Sequence, residues 1–228
     1  MGDQQPPYPL RLDQALRKRL EVNLAAHDVA ELPRDNRKHA AVAFTLVNQA
    51  VPAGIANIPH NEHREGDAAF ILTIRAASLS SHAGQRAYPG GRIDPGETVE
   101  EAALRELEEE VGLRLGHEHI IGRLDDYATR SGYLISPVVL WGGSDVPLTP
   151  NPGEVASIHR IPLAELLRRD APILESIPQS DYPVLKMPLG DEYVAAPSAA
   201  VSYQFREVAM LGRQTRVAHF EQPVFAWK

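Results

Sequence analysis

The sequence contains no cysteine. That excludes disulfides, thiolate metal sites and a cysteine nucleophile. It fits a reducing compartment, and the cytoplasm is the expected location. Long apolar runs are missing too. Nothing approaches the roughly 20 residues that span a bilayer, so no membrane partner is expected. The opening Met1-Gly2-Asp3-Gln4-Gln5-Pro6-Pro7 lacks the charged and apolar segments of a signal peptide. Pro6 stands where a myristoylation pattern needs Ser or Thr, so acylation of Gly2 is not expected. Positive charge is in deficit: 23 Lys and Arg face 30 Asp and Glu, a formal net charge of −7. Such a chain has no basic footprint for a nucleic-acid backbone, and nucleic acid is not expected as a partner. An anionic substrate must be held locally, by a metal ion, a few arginines or backbone N–H groups.

What is present is ordinary globular composition, 43% hydrophobic and 23% charged over 228 residues, enough for one large domain. Leu12, Leu16, Leu20 and Leu24 recur every fourth residue and predict a helix from Asp13 to about Ala26. Its apolar stripe is expected to pack on the domain, with a homodimer contact as the alternative. Residues 1–38 then form a helical lead and 39–228 the main domain. Ala40–Val47 and Ala68–Arg75 read as buried strands. Residues 50–66 and 76–96 read as loops, the second long enough to suggest a functional one. Glu97–Val111 is the strongest helix, stopped by Gly112. Strands are expected at Ile120–Thr129 and Tyr133–Trp141, joined across Ser131-Gly132, and at Val155–Ile161, followed by a short helix at Leu163–Arg169. An extension begins near Asp170, with strand-like runs at Val201–Val208 and Arg216–Phe220. The pattern is that of an α+β domain with a mixed sheet.

The segment carrying chemistry is Gly91-Arg92-Ile93-Asp94-Pro95-Gly96-Glu97, then seven residues, then Arg105-Glu106-Leu107-Glu108-Glu109-Glu110-Val111-Gly112-Leu113. At about 100° per residue, Glu106, Glu109 and Glu110 share an arc of roughly 100°. Ala103, Leu104, Leu107 and Val111 form the adjacent apolar face. Three like charges on one face repel one another. A hard divalent cation removes that repulsion, and carboxylate oxygens suit Mg²⁺ or Mn²⁺. An ordinary solvated acidic face is the alternative. Against it stands the spacing: Gly91, Glu97, Arg105, Glu106, Glu109, Glu110 and Gly112 co-occur by chance about 10⁻⁸ of the time per start position.

This stretch resembles the Nudix box, G-x5-E-x7-R-E-U-x-E-E-x-G-U with U a bulky aliphatic, at every position from Gly91 to Leu113. The resemblance implies an α/β/α sandwich with a mixed sheet and a loop–helix–loop catalytic motif. It implies metal ligation by Glu106, Glu109 and Glu110, with the Gly90 carbonyl often joining them, and an orienting pair of Glu97 and Arg105. The implied activity is Mg²⁺-dependent hydrolysis of a nucleoside diphosphate linked to another moiety, a small-molecule nucleotide substrate, with Mn²⁺ as a substitute ion. Glu109 and Glu110 are the catalytic candidates within the box. The box specifies the reaction class and leaves the substrate open.

Upstream, Ile71 to Gly91 resembles the signature of coenzyme A pyrophosphatases, L-L-T-x-R-[SA]-x3-R-x3-G-x3-F-P-G-G. Leu72, Thr73, Arg75, Ala76, Gly84, Pro89, Gly90 and Gly91 match, while Ile71 and Tyr88 are mild replacements. Ser80 stands where the signature has arginine, the side chain best suited to a phosphate. Arg75, Gly90 and Gly91 are the substrate-binding candidates, with Arg86 as a substitute for the missing arginine. For Arg75 an ion pair with the box helix is the alternative role. His82 is not counted as catalytic. Coenzyme A or a derivative is the expected substrate, giving 3′,5′-ADP and 4′-phosphopantetheine. ADP-ribose, a dinucleoside polyphosphate or a nucleoside triphosphate are the alternatives within the family, and a catalytically silent nucleotide-binding module is the alternative outside catalysis. Asn151-Pro152-Gly153-Glu154-Val155 resembles the family's segment before the last strand, and makes Glu154 the candidate general base. The tail, ending in Val224-Phe225-Ala226-Trp227-Lys228, departs from the coenzyme A pyrophosphatase pattern.

Overall fold

The computed structural model describes residues 8–49, 66–78 and 84–227. Helix α1 (Gln14–Ala25) opens with the Asp13 side chain accepting from Leu16 N at 2.9 Å. That cap satisfies one of the free N–H groups of the first turn. Strands β1 (Lys38–Asn48) and β2 (Ala68–Arg75) follow, then the short β3 (Arg86–Ala87) and β4 (Gly90–Arg92). Helix α2 (Val99–Val111) leads to β5 (Ile120–Arg123), β6 (Tyr127–Ala128), β7 (Tyr133–Gly143) and β8 (Val155–Pro162). Beyond a 3₁₀ turn at Leu163–Leu167 come β9 (Ile173–Glu175), β10 (Val184–Leu189) and β11 (Glu192–Ala195). Helix α3 (Ser198–Gln204) continues into a π-helical segment, Phe205–Met210.

The main sheet runs β3-β2-β1-β7-β5, with β4 on β1, β6 on β7 and β8 on β2. β1 and β7 are parallel, and their other neighbours are antiparallel. The sheet is therefore mixed, as expected. β1 reads as a continuous apolar run because both of its faces are covered. Ala41, Ala43 and Val47 face α2, together with Ala69, Ile71, Val138 and Leu140. Phe44 and Leu46 face the other way, into a larger core with α1, β10, α3 and the π-helical segment. That gives helix, sheet, and a second layer of helices with the small sheet β11-β10-β9. The stripe of α1 is spent inside the chain, since Leu16, Leu20 and Leu24 are buried in that larger core. Phe44 stacks on Phe70 and Phe205, and Tyr88 Oη lies 2.6 Å from Ser202 Oγ, so α3 and its continuation are locked to the sheet.

Four local expectations are corrected. The span 76–96 contains β3 and β4 rather than loop alone. The strand over Ile120–Thr129 is broken at residues 124–126, where Asp125 turns inward to His27 Nε2 (2.8 Å) and Arg216 Nη1 (2.7 Å). Val201–Val208 is helical, not extended. Its β-branched and aromatic residues favour strand, but they are buried together and tertiary packing outweighs that preference. Arg216–Phe220 forms no strand; the tail's strands are β9 to β11. β10 escaped notice because Pro188 interrupts it. Pairing with β9 ends at Lys186, so one side of β10 has no strand neighbour there and proline is tolerated. Among the described residues no helix is long and apolar enough to cross a membrane.

Candidate functional site

The bounds of α2 follow from its ends. Thr98 accepts from Glu101 N at 3.2 Å while the Glu101 side chain accepts from Thr98 N at 2.8 Å, a reciprocal capping box. Gly112 stops the helix in the left-handed region at φ 70°, a conformation that favours glycine. Ala102, Ala103, Leu107 and Val111 are buried on the sheet. That orientation carries Glu106 (9% exposed) and Glu110 (3% exposed) to the buried border of the helix, while Glu109 stays exposed.

The loop before the helix is tied to it by Arg105. Its Nε donates to Glu97 Oε1 at 2.9 Å and its Nη2 to Glu97 Oε2 at 3.0 Å. Nη2 also reaches Arg92 O at 3.0 Å. These hydrogen bonds hold Glu97 below the usual carboxylate range. The other arm of Arg105 donates to Glu106 Oε1 at 2.8 Å and to Glu109 Oε2 at 3.1 Å. The structure therefore brings Glu97, Arg105, Glu106 and Glu109 into one network.

Gly90 and Gly91 pass beside this network on β4. A Cβ at Gly91 would overlap Glu106 Oε1 and Cδ, and one at Gly90 would overlap Ala41 O. Glycine is what lets a buried carboxyl lie against this strand. Burial pushes Glu110 up to about 8, reinforced by the negative charges of Glu106 and Glu154. Arg75 and the Gly90 N–H act in the opposite direction. Burial also raises Glu106, with Glu109 and Glu154 adding to the effect and Arg105 opposing it. The charge of Glu154 thus acts on both of these carboxylates. Its loop is anchored through Ala76 N to Glu154 O (2.8 Å) and Asn151 N to Glu110 O (3.0 Å). Arg75, ending β2, has Nη1 3.9 Å from Glu110 Oε1, and its buried Nε has no hydrogen-bond partner among the described residues.

Arg86 is not brought to this site. Side chains alternate along a strand. Arg86 pairs with Ile74 and so lies on the face of Leu72 and Phe70, away from α2. There it forms an ion pair with Glu192 of β11. Ser80 and His82 lie outside the described residues. Three further residues at this sheet end were not singled out by function in the sequence. Lys38 and Tyr133 are partners in the β1–β7 pair, and Arg92 lies opposite Ala40. Lys38 Nζ is 5.5 Å and Arg92 Cζ 6.0 Å from the Tyr133 ring centroid. Single charges at strand ends have no spacing signature; only strand register puts them together.

Among the described residues, no three acidic or histidine side chains converge as a ready set of metal ligands, because Arg105 engages Glu106 and Glu109. The donor chemistry nonetheless fits a hard divalent cation. The donors are all carboxylate oxygen, two are buried, and both of those are raised by burial and by neighbouring negative charge. A cation there would relieve that charge, and Glu109, half exposed, would exchange its bond with Arg105 for it.

Comparison with known proteins agrees with this arrangement. A family model described as NUDIX domain matches residues 51–179. A protein of Photorhabdus laumondii named uncharacterized Nudix hydrolase NudL is 37% identical over 134 residues, covering 58% of this chain and 63% of that protein. Its namesake from Yersinia pestis is 41% identical over 99 residues, covering 43% of this chain and 50% of that protein. The match thus spans less than two thirds of these relatives. Among solved structures, a MutT/nudix family protein from Enterococcus faecalis aligns with a TM-score of 0.50 at 16% identity, over 76% of this chain and 62% of that one, a likeness of fold. With the family model covering more than half of its length, this chain belongs to the Nudix family.

Proposed function

We propose that this chain hydrolyses a phosphoanhydride bond in a small nucleoside diphosphate-linked compound, using Mg²⁺, with coenzyme A or a derivative as its substrate. One observation carries the reading. Buried Glu106 and Glu110, the Glu154 loop, Arg75 and the Gly90-Gly91 strand meet at one end of the sheet. The reaction breaks the P–O bond of the anhydride and forms a P–O bond to water, so the site must hold a diphosphate, orient a water and take up a proton.

Divalent ions generally serve this family. Glu106, Glu109 and Glu110 would hold the ion, which when bound withdraws charge from the phosphate and acidifies water. The chain's own groups do the rest. Arg75 offers an Nε without a hydrogen-bond partner among the described residues and a guanidinium near Glu110, suited to a non-bridging phosphate oxygen. Glu154 would accept the water's proton, a role supported by the action of its charge on both buried carboxylates. Gly91 lets the Glu106 carboxyl lie against the strand, where a Cβ would displace it. Arg105 and Glu97 hold the loop in register with the helix.

The test is turnover of coenzyme A, acetyl-coenzyme A, ADP-ribose, a diadenosine polyphosphate and dGTP at equal concentration, with Mg²⁺ and with EDTA. Preferential, EDTA-sensitive cleavage of coenzyme A to 3′,5′-ADP and 4′-phosphopantetheine is the expected result. Preference for another compound removes the coenzyme A assignment and keeps the reaction class. No cleavage of any refutes the hydrolase reading in favour of a silent nucleotide-binding module.

A further inference from the structure

The carboxylates occupy one face of the sheet end, and Lys38, Arg92 and Tyr133 occupy the other. The register fixes this. Ala41 and Ala43 of β1 face α2, so Lys38 and Ala40 face away, and their partners Tyr133 and Arg92 face away with them. The two faces share a backbone: Arg92 follows Gly91 directly, and its carbonyl accepts from Arg105, which also holds Glu106.

Two features separate this group from ordinary surface charge. The chain is acidic, and most of its described arginines are tied to carboxylates, yet among the described residues neither Lys38 nor Arg92 makes an ion pair. Both cations also lie beside one half-buried aromatic ring, with Arg92 Nη2 3.4 Å from Tyr133 Oη. The hydroxyl is held below its ordinary value by Arg92 first, then by Lys38 and by Arg75, so the positive field extends to the edge of the carboxylate site. Cations gathered without a counter-charge repel one another, and an anion placed between them removes that cost. A flat ring beside them offers a stacking surface for a base.

We propose that Lys38, Arg92 and Tyr133 form a substrate-specificity subsite, in which the two cations take a phosphate monoester on the nucleoside and the Tyr133 ring takes the adjoining base. The substrate then straddles the sheet end, its diphosphate over Gly90-Gly91 on one side and its second phosphate on the other. This assignment rests on the nucleotide reading of the neighbouring site and deepens it, by naming what distinguishes one nucleoside diphosphate from another.

The experiment is calorimetric titration of the full chain, in EDTA, with adenosine 3′,5′-bisphosphate and with adenosine 5′-monophosphate. The wild type is expected to bind the bisphosphate at least ~10-fold tighter, about 1.4 kcal/mol, within the worth of one charge-assisted hydrogen bond. The double substitution Lys38→Gln with Arg92→Gln, both at exposed positions, is expected to erase that preference. Tyr133→Ala is expected to weaken both ligands by the same factor. Equal binding of the two nucleotides by the wild type, or an undiminished preference in the double variant, overturns the subsite. In turnover, the double variant is expected to raise KM for coenzyme A relative to 3′-dephospho-coenzyme A; an unchanged ratio also overturns it. A bisphosphate preference without hydrolysis of any anhydride would support the subsite while removing the hydrolase reading, so the two fail separately.

Discussion

Replacing Glu110 by glutamine should stabilise the chain while destroying its activity, and the gain should depend on pH. In the folded chain without a cation, burial pushes Glu110 up to about 8, against an ordinary 4.5. The folded state then holds a proton that the unfolded state has released, throughout the interval between those values. The stabilising contribution of the protonated carboxyl is complete below 4.5 and is lost as pH rises through 8. Between pH 5 and pH 8 the ceiling of that loss is ~4 kcal/mol, at 1.36 kcal/mol per pH unit. Relaxation around the charge reduces it to roughly 2 kcal/mol. Glutamine carries no proton to lose. In EDTA at pH 5 the wild type and Glu110→Gln should unfold at nearly the same denaturant concentration. At pH 8 the variant should be the more stable by roughly 2 kcal/mol, a rise of about 4–8 °C in Tm for a chain of this size. Chemical and thermal unfolding at both pH values measure it. An equal stability difference at pH 5 and pH 8 would refute the assignment of a burial-raised carboxyl, whatever its sign.

Glu109→Gln keeps the side chain's shape and removes a ligand charge; kcat should fall at least ~10²-fold, or about 2.7 kcal/mol in the barrier, in a steady-state assay with saturating Mg²⁺. Near-normal turnover would remove Glu109 from the metal site. Gly91→Ala puts a Cβ into the Glu106 carboxyl and should cost about 1–3 kcal/mol of stability together with most of the turnover; full activity would mean that Glu106 need not lie against β4. Phe205→Ala removes a fully buried ring stacked on Phe44 and should destabilise by about 3–5 kcal/mol in denaturant titration. A loss under 1 kcal/mol would show that the tail is an appendage rather than part of the core.

How much of this was legible in the sequence depended on which physical signal carried it. The box helix was legible because helical period, a left-handed glycine stop and fixed charge spacing all agree over Gly91–Leu113. The central strands were legible because β1 and β2 are covered on both faces and read as apolar runs. The helix was begun too early: Glu97 belongs to the loop, Thr98 caps, and the first helical residue is Val99. The tail was illegible for the opposite reason. Val201, Phe205 and Val208 prefer extended backbone, and Pro188 argues against a strand, yet contacts with Phe44, Tyr88 and β11 decide both cases. Arg86 was drawn to the site by proximity in sequence, but strand alternation sends it to Glu192 on the other face.

The box marks a reaction class and withholds the substrate for a physical reason. The proposed cation ligands Glu106, Glu109 and Glu110 sit on one short element at helical intervals, so they leave a pattern that spacing alone exposes. A site that grips the rest of a nucleotide has no such constraint. Lys38, Arg92 and Tyr133 come from three strands, and each is an ordinary residue until the register of β4 on β1 and of β1 on β7 puts them on one face. Both groups hold like charges close together, at a cost to folding. The aromatic stack of Phe44, Phe70 and Phe205 and the reciprocal cap at Thr98 supply stability away from that sheet end. Local rules are broken at the proposed site and obeyed elsewhere, as expected of a fold that keeps its strain where it functions.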